Sequence, residues 1–239
     1  MRPVRKSPVD FSMAQASQEP GVHRQAAALT AGVRAVDTLD GLATINEPDT
    51  ELVIWRRSLP ACFRDWIDRL DAETLPHLRI LVQPGDLRSA LVPLLDKCGL
   101  VPGDMRDLLV QDVGDLVSAF ADITRSDWVD VRLERVDHDA CWKFHRDTVE
   151  ARLVTTYRGP TTEWVQMAHA EKAVAEQRSF DGPLQRLGDH DVALFKGNRA
   201  GPNSGIVHRS PPLAGTGLTR LFLCLNKRTV VSPDPWAKA

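Results

Sequence analysis

The spacing of hydrophobic positions along the chain changes near Ser126. Before it, apolar residues recur every three or four positions, which is the spacing of an amphipathic helix. Three segments have this pattern: PACFRDWIDRLDAE, DLRSALVPLLDKCG and GDMRDLLVQDVGDLVSAFADITRS. Two short apolar runs, LVIW and LRILVQ, predict buried strands in the same region. The first half of the chain is therefore predicted to be rich in helices.

After Ser126 the pattern becomes that of strands. WVDVRLERVD alternates apolar and charged residues, which predicts a half-buried strand. The later segments are short and separated by Gly, Pro or Asn turns: EARLVTTYRG, TEWVQ, DVALFKG, GIVHRS and LTRLFLCLN. A longer polar stretch, 167–190, interrupts them and predicts a lid or a helix. Helices followed by a run of strands predict a β-sandwich or barrel with a helical layer packed on one sheet.

The same patterns divide the chain into an arm and one packed domain. Residues 1–40 have few large apolar side chains and predict a flexible N-terminal arm, with a short helix at HRQAAALTAGV. Residues 41–236 predict a single domain. Within it, 41–126 is a helix-rich flank and 127–236 is the core of strands.

Composition and charge narrow the environment. A net charge of −2 over 239 residues gives no global attraction to nucleic acid or to acidic membranes. No apolar run is long enough to span a bilayer, and the N-terminus lacks the apolar segment of a secretory signal. The four cysteines are scattered and predict buried free thiols in a reducing compartment: Cys62, Cys98, Cys141 and Cys224. We therefore expect a cytoplasmic protein with no nucleic-acid and no membrane partner.

Candidate chemistry begins at WKFHRDTVEARLVTTYRG. His145 and Asp147 are two residues apart, so on a strand their side chains would project from the same face. Taken alone, the pair is weak support for a metal site. Seven histidines in a chain with 23 aspartates give about 0.7 such pairs by chance.

Two further residues strengthen the prediction. His208 lies between apolar strand residues and a Pro-Pro turn, and Arg220 begins the next predicted strand, which we expect to return beside His208. Two histidines and one carboxylate leave three positions open on an octahedral metal, an arrangement that suits non-haem Fe(II). An arginine nearby could hold the far carboxylate of a bound keto acid through two parallel hydrogen bonds.

The apolar strand around Arg220 makes this arginine unusual. Leu221, Leu223 and Leu225 lie on one face of the strand, and Arg220 shares the other face with Phe222 and Cys224. A buried guanidinium requires an anionic partner, either a protein carboxylate or a ligand carboxylate. A position at the exposed end of the strand would require neither.

These residues resemble a known superfamily. FHRD, RLVTTYRGPTTEW, DVALFKG, IVHRSPP and TRLFLCL, from about residue 140 to 226, are similar to the core of the Fe(II)/2-oxoglutarate-dependent dioxygenases, in the prolyl-hydroxylase-like branch. TYRGPTTEW and HRSPP also resemble an uncharacterised bacterial family known only as a domain of unknown function. That second resemblance implies no activity.

The dioxygenase resemblance implies a double-stranded β-helix, or jelly roll, buttressed by the N-terminal helices. It implies that His145, Asp147 and His208 bind Fe(II) and that Arg220 binds the distal carboxylate of 2-oxoglutarate. Thr155 or Tyr157, the only tyrosine, would lend a hydroxyl to this cosubstrate. The implied function is oxidation, for example hydroxylation, of a small-molecule or peptide substrate.

Other functions stay open on the residues alone. Zinc or nickel would also suit two histidines and a carboxylate, so a non-catalytic metal-binding protein in metal homeostasis or sensing is the main alternative. A degenerate barrel that serves as an interaction module is a third. The sequence leaves open the identity of the substrate, the metal, the oligomeric state and the role of residues 167–190.

Overall fold

The computed structural model describes residues 31–202 and 204–238 as two facing β-sheets with helices packed outside them. The strands are β1 (Val33–Val36), β2 (Leu52–Trp55), β3 (Leu78–Val82), β4 (Val129–Val136), β5 (Ala151–Arg158), β6 (Glu163–Trp164), β7 (Gln185–Arg186), β8 (Val192–Lys196), β9 (His208–Arg209) and β10 (Arg220–Lys227). The helices are α1 (Ala61–Arg69), α2 (Leu87–Lys97), α3 (Asp104–Thr124) and α4 (Ala170–Glu176), with short 3-10 turns between elements. The predicted combination of a β-sandwich with a helical layer is confirmed.

The larger sheet has seven strands in the order β1-β2-β8-β5-β10-β4-β3. β1 and β2 are parallel, and every other pair is antiparallel. The smaller sheet has the order β7-β6-β9, and an isolated bridge joins His145 to His208 at its β9 edge. From β4 onward the chain therefore passes back and forth between the two sheets, with β6 and β7 following one another in the smaller one. The larger sheet receives β4, β5, β8 and β10, and the smaller sheet receives His145, β6, β7 and β9.

Alternation along the central strands divides the interior into two layers. In β5, Leu153 and Tyr157 belong to the core beneath the helices, whereas Val154 faces the smaller sheet. In β8, Leu194 packs on the helical side and Phe195 on the opposite side. Both faces of the sheet are covered, which explains why β8 is a nearly continuous apolar run and why β5 has apolar residues on both faces.

The helices form where the hydrophobic spacing predicts them. The apolar side of α3 is fully buried at Leu109, Val113 and Phe120, so this helix is the main cover of the larger sheet. α2 continues through Pro93 although proline removes a backbone donor, because its buried face compensates for the lost hydrogen bond. The helix ends before Gly99, which has a φ of +79°.

One boundary prediction needs correction. The predicted arm, 1–40, extends too far, because Val33–Val36 already form β1 beside β2. The predicted helix at HRQAAALTAGV lies mainly outside the described residues. Within the predicted helix-rich flank, 41–126, the two strands expected at LVIW and LRILVQ form as β2 and β3, and both belong to the larger sheet.

Two features test the sequence-based expectations about the cellular environment: the burial of the cysteines and the character of the helices. Only Cys224 of the four free cysteines is buried; Cys62 and Cys141 are exposed, so the prediction of four buried thiols was wrong. Across 31–202 and 204–238 no helix combines the length and the apolar character that crossing a bilayer requires.

Candidate metal centre

Three side chains converge between the two sheets. His145 lies on the segment that bridges to β9, Asp147 on the loop before β5, and His208 on β9. One potential ligand atom from each residue lies within 4.8 Å of the others. Reciprocal backbone hydrogen bonds of 3.0 Å between His145 and His208 fix the two histidines side by side. The local pairing of two short strands thus brings together residues that are 63 positions apart in the sequence.

Both imidazoles are oriented for metal binding by backbone carbonyls. Nδ1 of His145 lies 2.7 Å from the carbonyl oxygen of Lys143, and Nδ1 of His208 lies 2.9 Å from that of Ile206. A carbonyl only accepts hydrogen bonds, so each Nδ1 carries the proton and each Nε2 keeps its lone pair when the ring is neutral. The two Nε2 atoms lie 3.6 and 3.3 Å from the carboxylate oxygens of Asp147. Carbonyl partners of this kind typically orient histidine ligands.

The carboxylate of Asp147 is buried and anionic. Burial by itself would raise its pKa, but the imidazoles of His145 and His208 and the guanidinium of Arg152 outweigh burial and hold the pKa well below its usual range. Its Oδ1 accepts a hydrogen bond from Arg152, whereas its shielded Oδ2 accepts none within the described residues. A buried carboxylate oxygen without a hydrogen bond is what a metal ligand is expected to look like before the metal binds.

The two histidines differ in exposure. The side chain of His208 is 8% exposed and that of His145 is 35% exposed, so the site opens toward His145. The anionic carboxylate of Asp147, 3.6 Å from Nε2, raises the pKa of His145 above its ordinary value, against the opposing effect of burial. Without a metal, His145 is therefore protonated more readily than a free imidazole, and protons compete with a cation for this position.

Arg220 is buried at the start of β10, with 1% of its surface exposed. Its guanidinium donates to three hydroxyls, at 2.8 Å to Ser210, 3.0 Å to Thr156 and 2.8 Å to Thr162. Its Nε has no hydrogen-bond partner, and no carboxylate in the described part of the chain pairs with it. Burial lowers the pKa of Arg220 to about 10, which still leaves it charged at neutral pH. Of the two anionic partners considered above, a protein carboxylate is therefore excluded within these residues.

One narrow cavity connects the candidate ligands to this arginine. His145, His208 and Arg220 all line it, and Val154 and Phe222 form part of its apolar wall. The ring of Phe222 lies 4.7 Å from the guanidinium carbon of Arg220. At about 90 Å³, the cavity is far smaller than those that accept drug-sized ligands, which measure roughly 300–1,000 Å³.

The prediction for Thr155 and Tyr157 was wrong, because both lie on the helical side of β5. The hydroxyl of Tyr157 donates to Asp112 on α3 at 2.6 Å, and Thr155 donates to the carbonyl of His190. Successive residues of a strand point to opposite faces, so their neighbours of even number face the cavity instead. Thr156, one position from each, is the hydroxyl that reaches Arg220.

The expected pairing of Arg220 beside His208 is also corrected. β10 pairs with β4 and β5 in the larger sheet, whereas His208 lies in the smaller sheet. The two residues face each other across the sandwich and not along a hairpin. Ser210 and Thr162, both in the region of the smaller sheet, supply the hydroxyls that connect the two layers at Arg220.

Several residues of the site were not predicted. Arg152 and Thr156 both come from β5. Strand alternation would have identified them as site residues once it was known that the even-numbered positions of β5 face the cavity. Thr162 and Ser210 lie just outside short strands and gave no recognisable pattern. Only the fold brings these two hydroxyls to Arg220.

Comparison with known proteins assigns the chain to one protein family. A family model described as a protein of unknown function, DUF1826, matches residues 36–226, which is most of the chain. The chain belongs to the DUF1826 family. The resemblance to a family known only as a domain of unknown function is thereby confirmed. No curated protein matches this DUF1826 chain.

Solved structures similar to this DUF1826 member are remote. A Pseudomonas putida prolyl-4-hydroxylase is 12% identical with a TM-score of 0.43, over 84% of this chain and 100% of its own. The Kdo hydroxylase KdoO, a non-heme Fe(II) alpha-ketoglutarate-dependent dioxygenase, is 9% identical with a TM-score of 0.42, over 82% and 89%. A full-length Neurospora crassa protein in complex with alpha-KG is 9% identical with a TM-score of 0.40, over 90% and 88%. Likenesses of this strength establish neither an activity nor a ligand for the DUF1826 chain.

Proposed function

We propose that this protein is an Fe(II)- and 2-oxoglutarate-dependent oxygenase that oxidises a small-molecule or peptide substrate. The observation that carries the proposal is Arg220, a buried cation without a carboxylate partner among the described residues, in the same cavity as two histidines beside an aspartate. A protein that only stores or senses a metal has no need of this second, anion-seeking group.

The fold proposed for the core is a double-stranded β-helix. Support comes from the order of the strands, because the chain passes back and forth between the sheets from β4 to β10. In the larger sheet this gives the order β4-β10-β5-β8, and in the smaller sheet His145-β9-β6-β7. Such interleaving places the ends of distant strands around one interior.

The donor set fits a divalent metal. Two neutral imidazole nitrogens and one carboxylate suit Fe(II) with positions left open, although zinc and nickel accept the same ligands. His145, Asp147 and His208 would hold the metal, and the uncommitted Oδ2 of Asp147 supports this fit. Arg152 keeps Asp147 ionised and oriented, as outer partners of metal ligands do.

The second half of the cavity fits the far end of 2-oxoglutarate. Arg220 would bind the distal carboxylate through its guanidinium, whose Nε has no partner among the described residues. Thr156, Thr162 and Ser210 hold this guanidinium in place by accepting its other hydrogens. Because Arg220 is shielded from water, its attraction for a carboxylate is stronger than at an exposed position.

The division of labour follows from these positions. When bound, the iron and 2-oxoglutarate supply the oxidising chemistry that protein side chains lack. The chain orients the cosubstrate through Arg220 at one end and the three metal ligands at the other. Val154, Phe222 and the enclosing sheets exclude bulk water from the space between them.

The decisive experiment is calorimetric titration of 2-oxoglutarate into anaerobic, Fe(II)-loaded protein. We expect micromolar binding that is lost in Arg220→Ala and retained in Arg199→Ala, the same substitution at an exposed arginine outside the cavity. Arg220→Lys should restore binding only in part, because lysine lacks the planar fork. Tight metal binding without any binding of 2-oxoglutarate would overturn the proposal and favour the metal-homeostasis alternative.

A further inference from the structure

Four arginines line the cavity, and two of them are neutralised by buried carboxylates. Arg152 donates to Asp147. Arg209 donates through Nε to Glu163 at 2.8 Å, and Glu163 is almost fully buried. Glu163 also accepts from Arg186 at 3.0 Å. In both pairs the donor that faces the carboxylate is therefore already engaged within the protein.

The other two arginines, Arg132 and Arg220, lack a hydrogen bond to any described carboxylate. The Nε of Arg132 is shielded from solvent and makes no hydrogen bond. The nearest carboxylate oxygen, from Glu134 on the same face of β4, is 3.8 Å away, beyond hydrogen-bonding distance. The side chain of Arg132 is 36% exposed, so it is accessible from outside the cavity, unlike Arg220.

Arg132 and Arg220 serve different parts of the cavity. In the register of the larger sheet, Arg132 lies beside Cys224, four residues along β10 from Arg220. At about 3.3 Å per residue this separates the two positions by roughly 13 Å along the strand. The ring of Phe222 projects on the same face, between the two positions. One short diacid that is anchored at the metal and at Arg220 therefore leaves Arg132 uncommitted.

We infer that Arg132 binds a carboxylate of the primary substrate, which is thus a small organic acid. The inference rests on the proposed function, in which Arg220 is occupied by the cosubstrate. A planar guanidinium with free donors recognises a carboxylate through paired hydrogen bonds. Glu134 attracts this guanidinium by charge, but at 3.8 Å from Nε it leaves the hydrogen-bond donors of Arg132 free. Arg132 lines the same cavity as His145 and His208, so an acid held there would lie beside the metal site.

The test uses Zn(II)-loaded protein saturated with 2-oxoglutarate, because Zn(II) is diamagnetic and redox-inert. Saturation-transfer NMR is recorded with a panel of small carboxylic acids, each paired with its primary amide. We expect acids to bind at least fivefold more tightly than their amides. Arg132→Gln should abolish this difference, Arg132→Lys should keep part of it, and both variants should bind 2-oxoglutarate within twofold of the wild type.

Three results would overturn the inference: equal binding of acids and amides, undiminished acid binding by Arg132→Gln, or no acid bound at all. Failure of the proposed function gives a different pattern. In that case 2-oxoglutarate itself does not bind, and the panel is then run on the metal-loaded protein alone. Acid binding that depends on Arg132 would then show that Arg132 forms an anion-binding site in a protein that is not a 2-oxoglutarate-dependent oxygenase.

Discussion

Arg152, on β5, donates a hydrogen bond to the buried carboxylate of Asp147, five residues earlier in the chain. Its Nε is itself held at 2.8 Å by the side-chain oxygen of Asn226 on the neighbouring strand. The larger sheet thereby fixes a carboxylate that belongs to a loop. These contacts order the carboxylate of Asp147, which completes the candidate ligand set with the two histidines.

Replacing Arg152 with Leu should weaken metal binding by roughly 10- to 100-fold, the usual effect of removing an outer partner of a metal ligand. The reason is that Asp147 loses both its orientation and part of the positive charge that keeps it ionised. Competition with a chromogenic chelator measures this affinity. The control is Arg132→Leu, because Arg132 lines the same cavity but does not contact Asp147. Equal metal affinity in the two variants would contradict a role for the Arg152–Asp147 contact.

Tyr157→Phe should reduce the free energy of unfolding by about 1.5–3 kcal/mol, the range for a hydrogen bond to a charged group. Its hydroxyl donates to Asp112, which also pairs with Arg57, and all three lie on the helical side of the larger sheet. Urea denaturation measures the loss. The affinity for 2-oxoglutarate should be unchanged, because the hydroxyl is outside the cavity. A marked loss of cosubstrate binding with unchanged stability would return Tyr157 to the role first predicted for it.

The case of Tyr157 also explains which parts of the molecule the sequence can predict. Hydrophobic spacing located α1 to α3 and most strands of the larger sheet, since these elements bury continuous apolar faces. The spacing of His145 and Asp147 and the apolar setting of His208 indicated a metal site. Which face of β5 looks into the cavity was not predicted, because both faces are largely buried and each carries a hydroxyl side chain.

Contacts between distant loops were equally inaccessible from the sequence. Thr162 and Ser210 accept from Arg220 only because the smaller sheet lies opposite β10. The sequence does show that Arg220 requires a partner, since a charged residue in an apolar strand is costly to bury. It does not show that the available partners are hydroxyls. That distinction depends on tertiary packing, and it is the observation on which the proposed cosubstrate site depends.

The buried ring of His190 gives a prediction on pH. Burial lowers its pKa below the ordinary value of 6.5, so the unfolded chain binds a proton at this residue more readily than the folded protein does. The free energy of unfolding should therefore fall as the pH decreases from about 6.5 toward the lowered value. His190→Asn removes this contribution while tolerating the backbone φ of +63°. Urea denaturation of both proteins between pH 5 and 7 should show a shallower decline for the variant, and parallel curves would contradict the assignment.

Gln177 connects the stretch 167–190 to the strand that carries His145. Its side-chain amide accepts from the backbone N–H of Phe144 at 2.8 Å and donates to the carbonyls of Phe144 and Val174 at 3.1 and 2.8 Å. The ring of Phe180 packs edge-on against Phe144. These contacts hold the stretch against the metal site, and they favour a role as a fixed support for His145.

Gln177→Asn should therefore lower metal affinity by about tenfold and stability by about 1–3 kcal/mol, because the buried backbone of Phe144 loses its partner. Asparagine keeps an amide, but its side chain is too short to bridge both backbone groups of Phe144. Chelator competition and urea denaturation provide the two readouts. Gln111→Asn, at an exposed position of α3, is the matched control and should change neither. Wild-type metal affinity in Gln177→Asn would mean that the stretch 167–190 does not support His145. The predicted role of this stretch as a lid would then be favoured again.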